Sequence, residues 1–352
     1  MNLNFVMNFS KSLIQWYLLN KRDLPWRNTT DPYHIWLSEI MLQQTRVAQG
    51  LPYFLRFTEA FPTVFDLAEA EEEQVLKLWQ GLGYYSRARN LHQTAQKIAS
   101  DYQGQFPQSY SELLQLKGIG DYTAAAIASF AYNESVPVVD GNVYRVLARY
   151  FEVETDIASS DAKKEFTALA RELLPKGEAN VFNQAIMEFG ALQCVPKNPD
   201  CNHCIFNDSC AALQKKKVAA LPVKSKKNKV KDRWFHYVIF ADEQHHTLVQ
   251  KRSAKGIWHN LYEFPLIETT ASEPEADVEK RIAQQKLVPN AIQSVHRDAT
   301  ASTLHKLSHQ HLHIDFWKVR VKGTLKGGTD WESVKKLPFP VVIFNFIEKE
   351  RY

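Results

Sequence analysis

From Phe9 to about Ala191, apolar residues recur three and four positions apart, and the breaks between these runs carry Gly, Pro, Asp and Asn. That spacing predicts a predominantly helical region of one or two lobes. After Arg233 the pattern changes. Trp234 to Phe240 and His311 to Val321 are rich in β-branched and aromatic residues with partial alternation, which predicts strands. Between them Glu275 to Gln285 has helical composition, while Gly327, Gly328 and Pro338 punctuate the tail. A smaller α+β unit is therefore expected to follow a mainly α one, and no internal repeat is visible.

The length of 352 residues exceeds what one hydrophobic core usually serves, which favours two globular units. Hydrophobic residues at 45% and charged residues at 23% argue for compact domains and against a mainly disordered chain. The net charge of +4 excludes nothing, but its distribution is informative. Lys215, Lys216, Lys217, Lys224, Lys226, Lys227, Lys229, Lys231 and Arg233 crowd one stretch with only Asp232 opposing them. Such a run is most often a solvated linker and less often a phosphate-contacting arm. The expected organisation is a helical region over 1–213, a basic inter-domain linker over 214–232 and a second domain over 233–352. Met1 to Asn20 lacks an export-signal pattern, and no uncharged apolar run approaches the ~20 residues of a bilayer span. A soluble intracellular protein without membrane contact is expected.

All four cysteines, Cys194, Cys201, Cys204 and Cys210, lie within seventeen residues in the spacing C-x6-C-x2-C-x5-C. Disulfides are disfavoured without export, and two bridges in so short a loop would be cramped. Four thiolates hold either a structural zinc or a [4Fe-4S] cluster. Zinc sites more often show two C-x2-C knuckles than one knuckle with wide flanks, so the spacing favours the cluster while leaving the metal open.

Leu113 to Ile127 reads as a helix end, a tight hairpin bearing Gly118 and Gly120, and a second helix. Glycines there permit a positive φ and close backbone approach, and they leave the N–H groups opening the second helix available to a phosphate. Twenty residues beyond Gly120 comes Asp140, in the string Val138 to Val146. The combination is similar to the helix-hairpin-helix base-excision glycosylases, in which the hairpin grips the DNA backbone and the aspartate takes part in cleaving the glycosidic bond.

Base removal needs one carboxyl that stays protonated, to give its proton to the leaving group, and one that stays ionised beside the cationic sugar. Glu39 follows a plausible N-cap, Asp31, and a first helical residue, Pro32, and shares a face with Ile35 and Leu42. An apolar face disfavours the carboxylate and raises its pKa. Asp140 precedes a helix carrying Val143, Val146 and Leu147, whose positive end should hold it ionised.

Taken whole, the chain resembles the MutY family of adenine-specific mismatch glycosylases. The resemblance rests on Leu24-Pro25-Trp26-Arg27, the Glu39 segment with Gln43-Gln44-Thr45, the hairpin, the Asp140 segment, the cysteine loop and the second domain. The related endonuclease III type enzymes carry a lysine nucleophile two residues after the second hairpin glycine, where this chain has Tyr122. Tyrosine cannot form a Schiff base, so the resemblance implies base removal without strand cleavage. It further implies a [4Fe-4S] cluster on Cys194, Cys201, Cys204 and Cys210. Glu39 would protonate adenine, Asp140 would stabilise the sugar cation, and Tyr122 and Asn142 would support them. Arg27, Gln44, Thr45, Gly118, Gly120, Leu82 and Tyr84 are the implied DNA contacts, the last two in a wedge loop over Gln80 to Ala88.

Lys255 to Pro265 is similar to the Nudix-like module of that family, but no acidic Nudix helix follows, so binding rather than hydrolysis is implied. Its task would be to recognise 8-oxoguanine opposite adenine. Family members usually present Phe-Ser-His to that lesion, and this chain has Leu307, Ser308 and His309. The expectation is a cytoplasmic, nucleoid-associated monomer that acts on double-stranded DNA containing adenine opposite 8-oxoguanine or guanine. Two other readings stand beside it: an endonuclease III-like glycosylase with lyase activity, and a non-catalytic iron-sulfur DNA-binding or redox protein.

Overall fold

In the computed structural model the described backbone comprises residues 3–225 and 230–350, with side chains from Met7 onward. Lys226, Lys227 and Lys229 of the basic run lie outside the described residues. The chain divides into two compact units. One comprises Met1–Glu69 with Asn90–Lys226, the other Ala70–Arg89 with Lys227–Tyr352.

The first unit is helical: α1 (Leu3–Asn20), a short 3₁₀ turn (Pro25–Arg27), α2 (Pro32–Leu42), α3 (Val47–Ala60) and α4 (Val64–Glu69) precede the second unit's α5 (Glu72–Trp79). Then follow α6 (Ser86–Asp101), α7 (Tyr110–Leu113), α8 (Asp121–Tyr132), α9 (Gly141–Phe151), α10 (Ser160–Leu173), α11 (Ala179–Leu192) and α12 (Ala211–Gln214). Phe9 of α1 meets Tyr150 of α9 at 4.6 Å and Phe206 of the cysteine loop at 4.8 Å between ring centroids. Phe189 of α11 closes the group at 5.3 Å from Phe206. Burying each such side chain is worth about 1.5–3 kcal/mol, so this aromatic core ties both ends of the unit together.

Leu221, 3% exposed, joins the same core, and Val218 packs against it. Lys217 pairs with Glu152 at 2.8 Å and with Glu154 at 2.5 Å, and Lys215 also reaches Glu152. Exposed pairs of this kind contribute about 0–1 kcal/mol, so apolar burial rather than charge docks the first half of the basic run. These two lysines are spent on glutamates.

The second unit holds α5 and a mixed sheet in the order β4-β1-β7-β5, with β6 also on β7. Its strands are β1 (Lys231–Ala241), β2 (Gln250–Lys251), β3 (Tyr262–Glu263), β4 (Leu266–Thr269), β5 (Ile292–Arg297), β6 (Thr303–Lys306) and β7 (Gln310–Val321). β1 and β7 run parallel from Lys231↔Gln310 to Ala241↔Arg320, and β1, covered on both faces, is buried without a break from Phe235 to Phe240, while β7 keeps its alternation. On one face α13 (Glu275–Gln284) sets Val278 and Ile282 against Val238, Phe240, Trp317 and Val319. On the other, Phe346 of α15 (Val341–Lys349) stacks on Phe316 at 4.1 Å; α14 (Trp331–Lys336) precedes α15.

Candidate active site

Glu39 enters the site from α2. Asp31 caps that helix by accepting from the Tyr33 N–H at 2.9 Å, and Pro32 opens it without an N–H to satisfy. Ile35, Trp36, Leu37, Ile40 and Met41 of the same helix are buried, and Glu39 is itself 7% exposed. Burial pushes Glu39 up to about 7, a rise reinforced by Asp140 and opposed by Arg27 and by a hydrogen bond from Tyr122. That bond, from the Tyr122 hydroxyl to Oε2, is 2.5 Å long.

Tyr122 is the second residue of α8, immediately after the hairpin. Gly118 takes φ +75° there, and a Cβ on it would lie 2.7 Å from the Asn90 Cβ. Gly120 instead has φ −93° and ψ 178°, open to any residue, and an added Cβ would face open space. Positive φ therefore explains the first glycine only; the second leaves the hairpin bare toward solvent.

Asp140 caps α9. Its Oδ1 accepts from the N–H groups of Asn142 and Val143, each at 2.8 Å, and its Oδ2 from the Asn142 side-chain amide at 2.8 Å. Burial pushes its pKa up while these donors and the Arg145 charge pull it down, and the net direction is upward. The sequence-based expectation considered only the helix end and not the loss of solvent. Every one of these contacts nevertheless donates to the carboxylate, and so favours the anion.

Asn142 is fixed in turn. Its Oδ1 accepts from Arg145 Nη2 at 2.8 Å, and Arg145 also donates to the Cys194 and Gly190 carbonyls at 2.7 and 2.5 Å. Gly190 on α11 lets α9 approach: a Cβ there would come 2.7 Å from the Asn142 Cβ and 2.9 Å from its carbonyl oxygen. Gly190→Ala is therefore expected to cost about 1–3 kcal/mol by overpacking, and to lower excision by displacing Asn142 and hence Asp140. Thermal melting and single-turnover assays on the same preparation check this.

Arg27 and Arg22 both grip Glu188, which is fully buried, at 2.6 Å. Burial raises the Glu188 carboxyl, but the two guanidiniums overcome it and hold the group at about 2. Arg27 Nη1 is buried with no hydrogen-bond partner among the described residues.

Glu39, Tyr122 and Asp140 line two clefts of about 730 and 710 Å³. The first also carries Gln44, Gly120, Asp121, Lys163 and Arg171. The second carries Trp26, Arg27, Thr45, Asn142, Gln184 and Glu188. Eight sequence-assigned residues, Arg27, Glu39, Gln44, Thr45, Gly120, Tyr122, Asp140 and Asn142, thus come together around these clefts. Leu82, Tyr84, Ser308 and His309 belong to the other unit. There Tyr84 is 45% exposed and Leu82 only 4%, while Ser308 and His309 are exposed at the turn between β6 and β7. Glu188, Arg22, Gln184 and Arg145 escaped the sequence reading. At Glu188, between Met187 and Phe189, and at Arg145 the one signal was a charge embedded in an apolar helical run; Arg22 and Gln184 offered none.

The four cysteines line a single cavity with Arg149, Tyr150 and Phe206. Among the described residues, no three His, Cys, Asp or Glu side chains converge on one point as a lone ion requires. Arg149 Nη1 lies 3.4 Å from Cys194 Sγ, placing a cation beside the sulfurs, and burial pushes the Cys204 thiol up to about 11. A thiolate there needs a cationic centre. No helix among the described residues is long and apolar enough to cross a membrane.

Residues 37–176 match the HhH-GPD superfamily of base excision DNA repair proteins, and residues 236–349 match the NUDIX domain. Hairpin, capped aspartate and sheet thus define a base-excision DNA glycosylase with an appended Nudix-like domain. The adenine DNA glycosylase of Buchnera aphidicola subsp. Schizaphis graminum is 36% identical over 309 residues, 87% of this chain and 86% of that one. The Homo sapiens adenine DNA glycosylase is 42% identical over 219 residues, 60% of this chain and 40% of that protein. The chain belongs to the adenine DNA glycosylase family. Among solved structures, a thermostable thymine-DNA glycosylase matches at 28% identity and TM-score 0.54, over 60% of this chain and 97% of that one. A trapped endonuclease III–DNA covalent intermediate shares the fold at 21% identity and TM-score 0.54, over 61% and 99%.

Proposed function

We propose that the protein excises adenine paired with 8-oxoguanine or guanine in double-stranded DNA, by hydrolysis of the N-glycosidic bond and without strand cleavage. The observation that carries this is the shared wall of the two clefts: a buried carboxyl raised to about 7, Glu39, stands with Asp140, a carboxylate held by three N–H donors. An adenine extruded from the stack, at a cost of a few kcal/mol that a mispair partly removes, enters the cleft lined by Trp26, Arg27, Gln184 and Glu188. Glu39 delivers its proton to a ring nitrogen, the bond from that base to the sugar C1′ breaks with its electron pair on the base, and the anionic Asp140 faces the cationic sugar. Water then adds at C1′, and its proton restores Glu39. Tyr122 orients the Glu39 carboxyl, and Asn142 orients Asp140.

On this reading Gly118 and Gly120 hold the DNA backbone, Gln44 and Thr45 border the opening, and the Tyr84 loop, with Leu82 packed beneath, enters the space left by the adenine. Ser308 and His309 read the opposing base. Cys194, Cys201, Cys204 and Cys210 would hold a [4Fe-4S] cluster, which would staple the loop they share to the Phe9–Tyr150–Phe206 core. The protein would work in the cytoplasm on nucleoid DNA.

Incubation with duplexes containing A opposite 8-oxoguanine, G or T, followed by alkali, tests the assignment; equal cleavage of all three rejects it. With Tyr122 where lyases have lysine, borohydride is expected to trap no enzyme–DNA adduct, and strands are expected to break only after alkali. A trapped adduct would favour the endonuclease III-like alternative.

A further inference from the structure

The segment Ala70–Arg89 lies within the stretch matched to the helical superfamily, yet it is part of the compact unit that holds the sheet. Polar contacts bind it there at both ends of α5. At the start, Asn260 donates to Glu72 at 2.6 Å, while Tyr262 and Lys251 reach Glu73 at 2.8 and 3.1 Å. At the end, Lys77 Nζ donates to the carbonyls of Lys335 and Leu337 at 2.6 and 3.0 Å, where α14 finishes and leaves acceptors without helical partners. The Lys77 ammonium also stands 4.7 Å from the centre of the Phe344 ring. Gln80 Oε1 accepts from the Phe339 N–H at 2.9 Å, and the Tyr85 hydroxyl reaches the Phe339 carbonyl at 3.4 Å.

The loop between these anchors is tight. Gly81 and Gly83 take φ +97° and +78°, and Tyr84 itself takes φ +48°, an unfavourable region for an aromatic residue that persists only where the surroundings impose it. Arg87 sits 5.3 Å from the Tyr84 ring and donates to the Gly83 carbonyl at 3.1 Å, which leaves the exposed ring little freedom.

We propose that the Nudix-like domain sets the position of the Tyr84 loop, with Lys77 and Gln80 as positioning residues, so that the Tyr84 loop and the Ser308–His309 turn act as one reader of the opposing base. This deepens the functional reading above and rests on it. The helical unit then carries the chemistry on adenine, and recognition of its partner base is gathered on the other unit from two distant parts of the chain.

Single-turnover excision of A opposite 8-oxoguanine and of A opposite G, measured on the full chain, tests the proposal. Lys77→Met and Gln80→Ala are each expected to reduce the ratio of the two rates about tenfold, because each removes part-buried hydrogen bonding that holds the loop. Lys77→Arg, which keeps charge and donors, is expected to preserve the ratio, as a general loss of stability would not. Should Lys77→Met fail to fold, Gln80→Ala decides, since it deletes one hydrogen bond from a half-buried side chain. A wild-type enzyme that excises A opposite 8-oxoguanine and A opposite G at equal rates overturns the proposal, and one that cleaves A opposite T equally as well overturns the functional reading with it. A wild type that discriminates, with Tyr84→Ala losing discrimination while Gln80→Ala and Lys77→Met retain it, overturns the mount alone.

Discussion

Glu39→Gln is expected to lower single-turnover adenine excision by about 10²–10⁴-fold while leaving DNA binding in place, because the amide fills the same space and has no proton to give. With burial holding the Glu39 carboxyl at about 7, the wild-type rate should decline above that pH, and the residual rate of the variant should not. Stability carries the same signature. The folded-state pKa is raised above the ordinary 4.5, so the stabilisation is complete below that value and is lost as pH rises through about 7. The wild type should lose about 3 kcal/mol across this window, on the order of 1.4 kcal/mol per unit. Glu39→Gln abolishes the titration, so its melting temperature should overtake that of the wild type in alkaline buffer. Parallel melting profiles would show that Glu39 has the same pKa folded and unfolded, so that burial does not raise it. Undiminished excision would leave the non-catalytic DNA-binding alternative standing.

Glu188→Gln is expected to destabilise the helical unit by about 3–5 kcal/mol, the usual result of removing one member of a buried ionic group and stranding the rest. Here two guanidiniums, Arg22 and Arg27, would lose their shared anion. Burial raises the Glu188 pKa, but the arginines overcome it and depress the group to about 2. Its contribution is therefore present above the ordinary carboxylate value and is lost as pH falls toward 2. Urea unfolding at neutral pH and in acid, wild type against variant, checks both magnitude and direction. A loss under about 1 kcal/mol at neutral pH would mean that water or mobility already screens the group. Since Arg27 lines the cleft beside Glu39, excision should fall as well, and Arg27→Met should reproduce that fall.

Much of this protein is written in local pattern. Helical spacing, the Asp31-Pro32 start, the hairpin and the Asp140 cap depend on residues within a few positions of one another, so the sequence alone determines them. The strands at Trp234 and His311 were legible for the same reason, their β-branched and aromatic residues with partial alternation marking them locally. The four cysteines, clustered in sequence, likewise line one cavity in the fold.

Tertiary structure decided what depends on distance along the chain. That Glu39 and Asp140 share two clefts, that burial raises Asp140 against the pull of its helix, and that Glu188 binds arginines more than 160 positions away are products of packing. An apolar helix face marks a glutamate for burial, as at Glu39, but does not say which distant side chains seal it or neutralise it. The attachment of residues 70–89 to the sheet unit was equally hidden, because Lys77 and Gln80 find their partners more than 250 residues downstream. Sequence names the reactive groups by their chemistry; only the folded chain sets the solvent and charge around them, and those set their protonation.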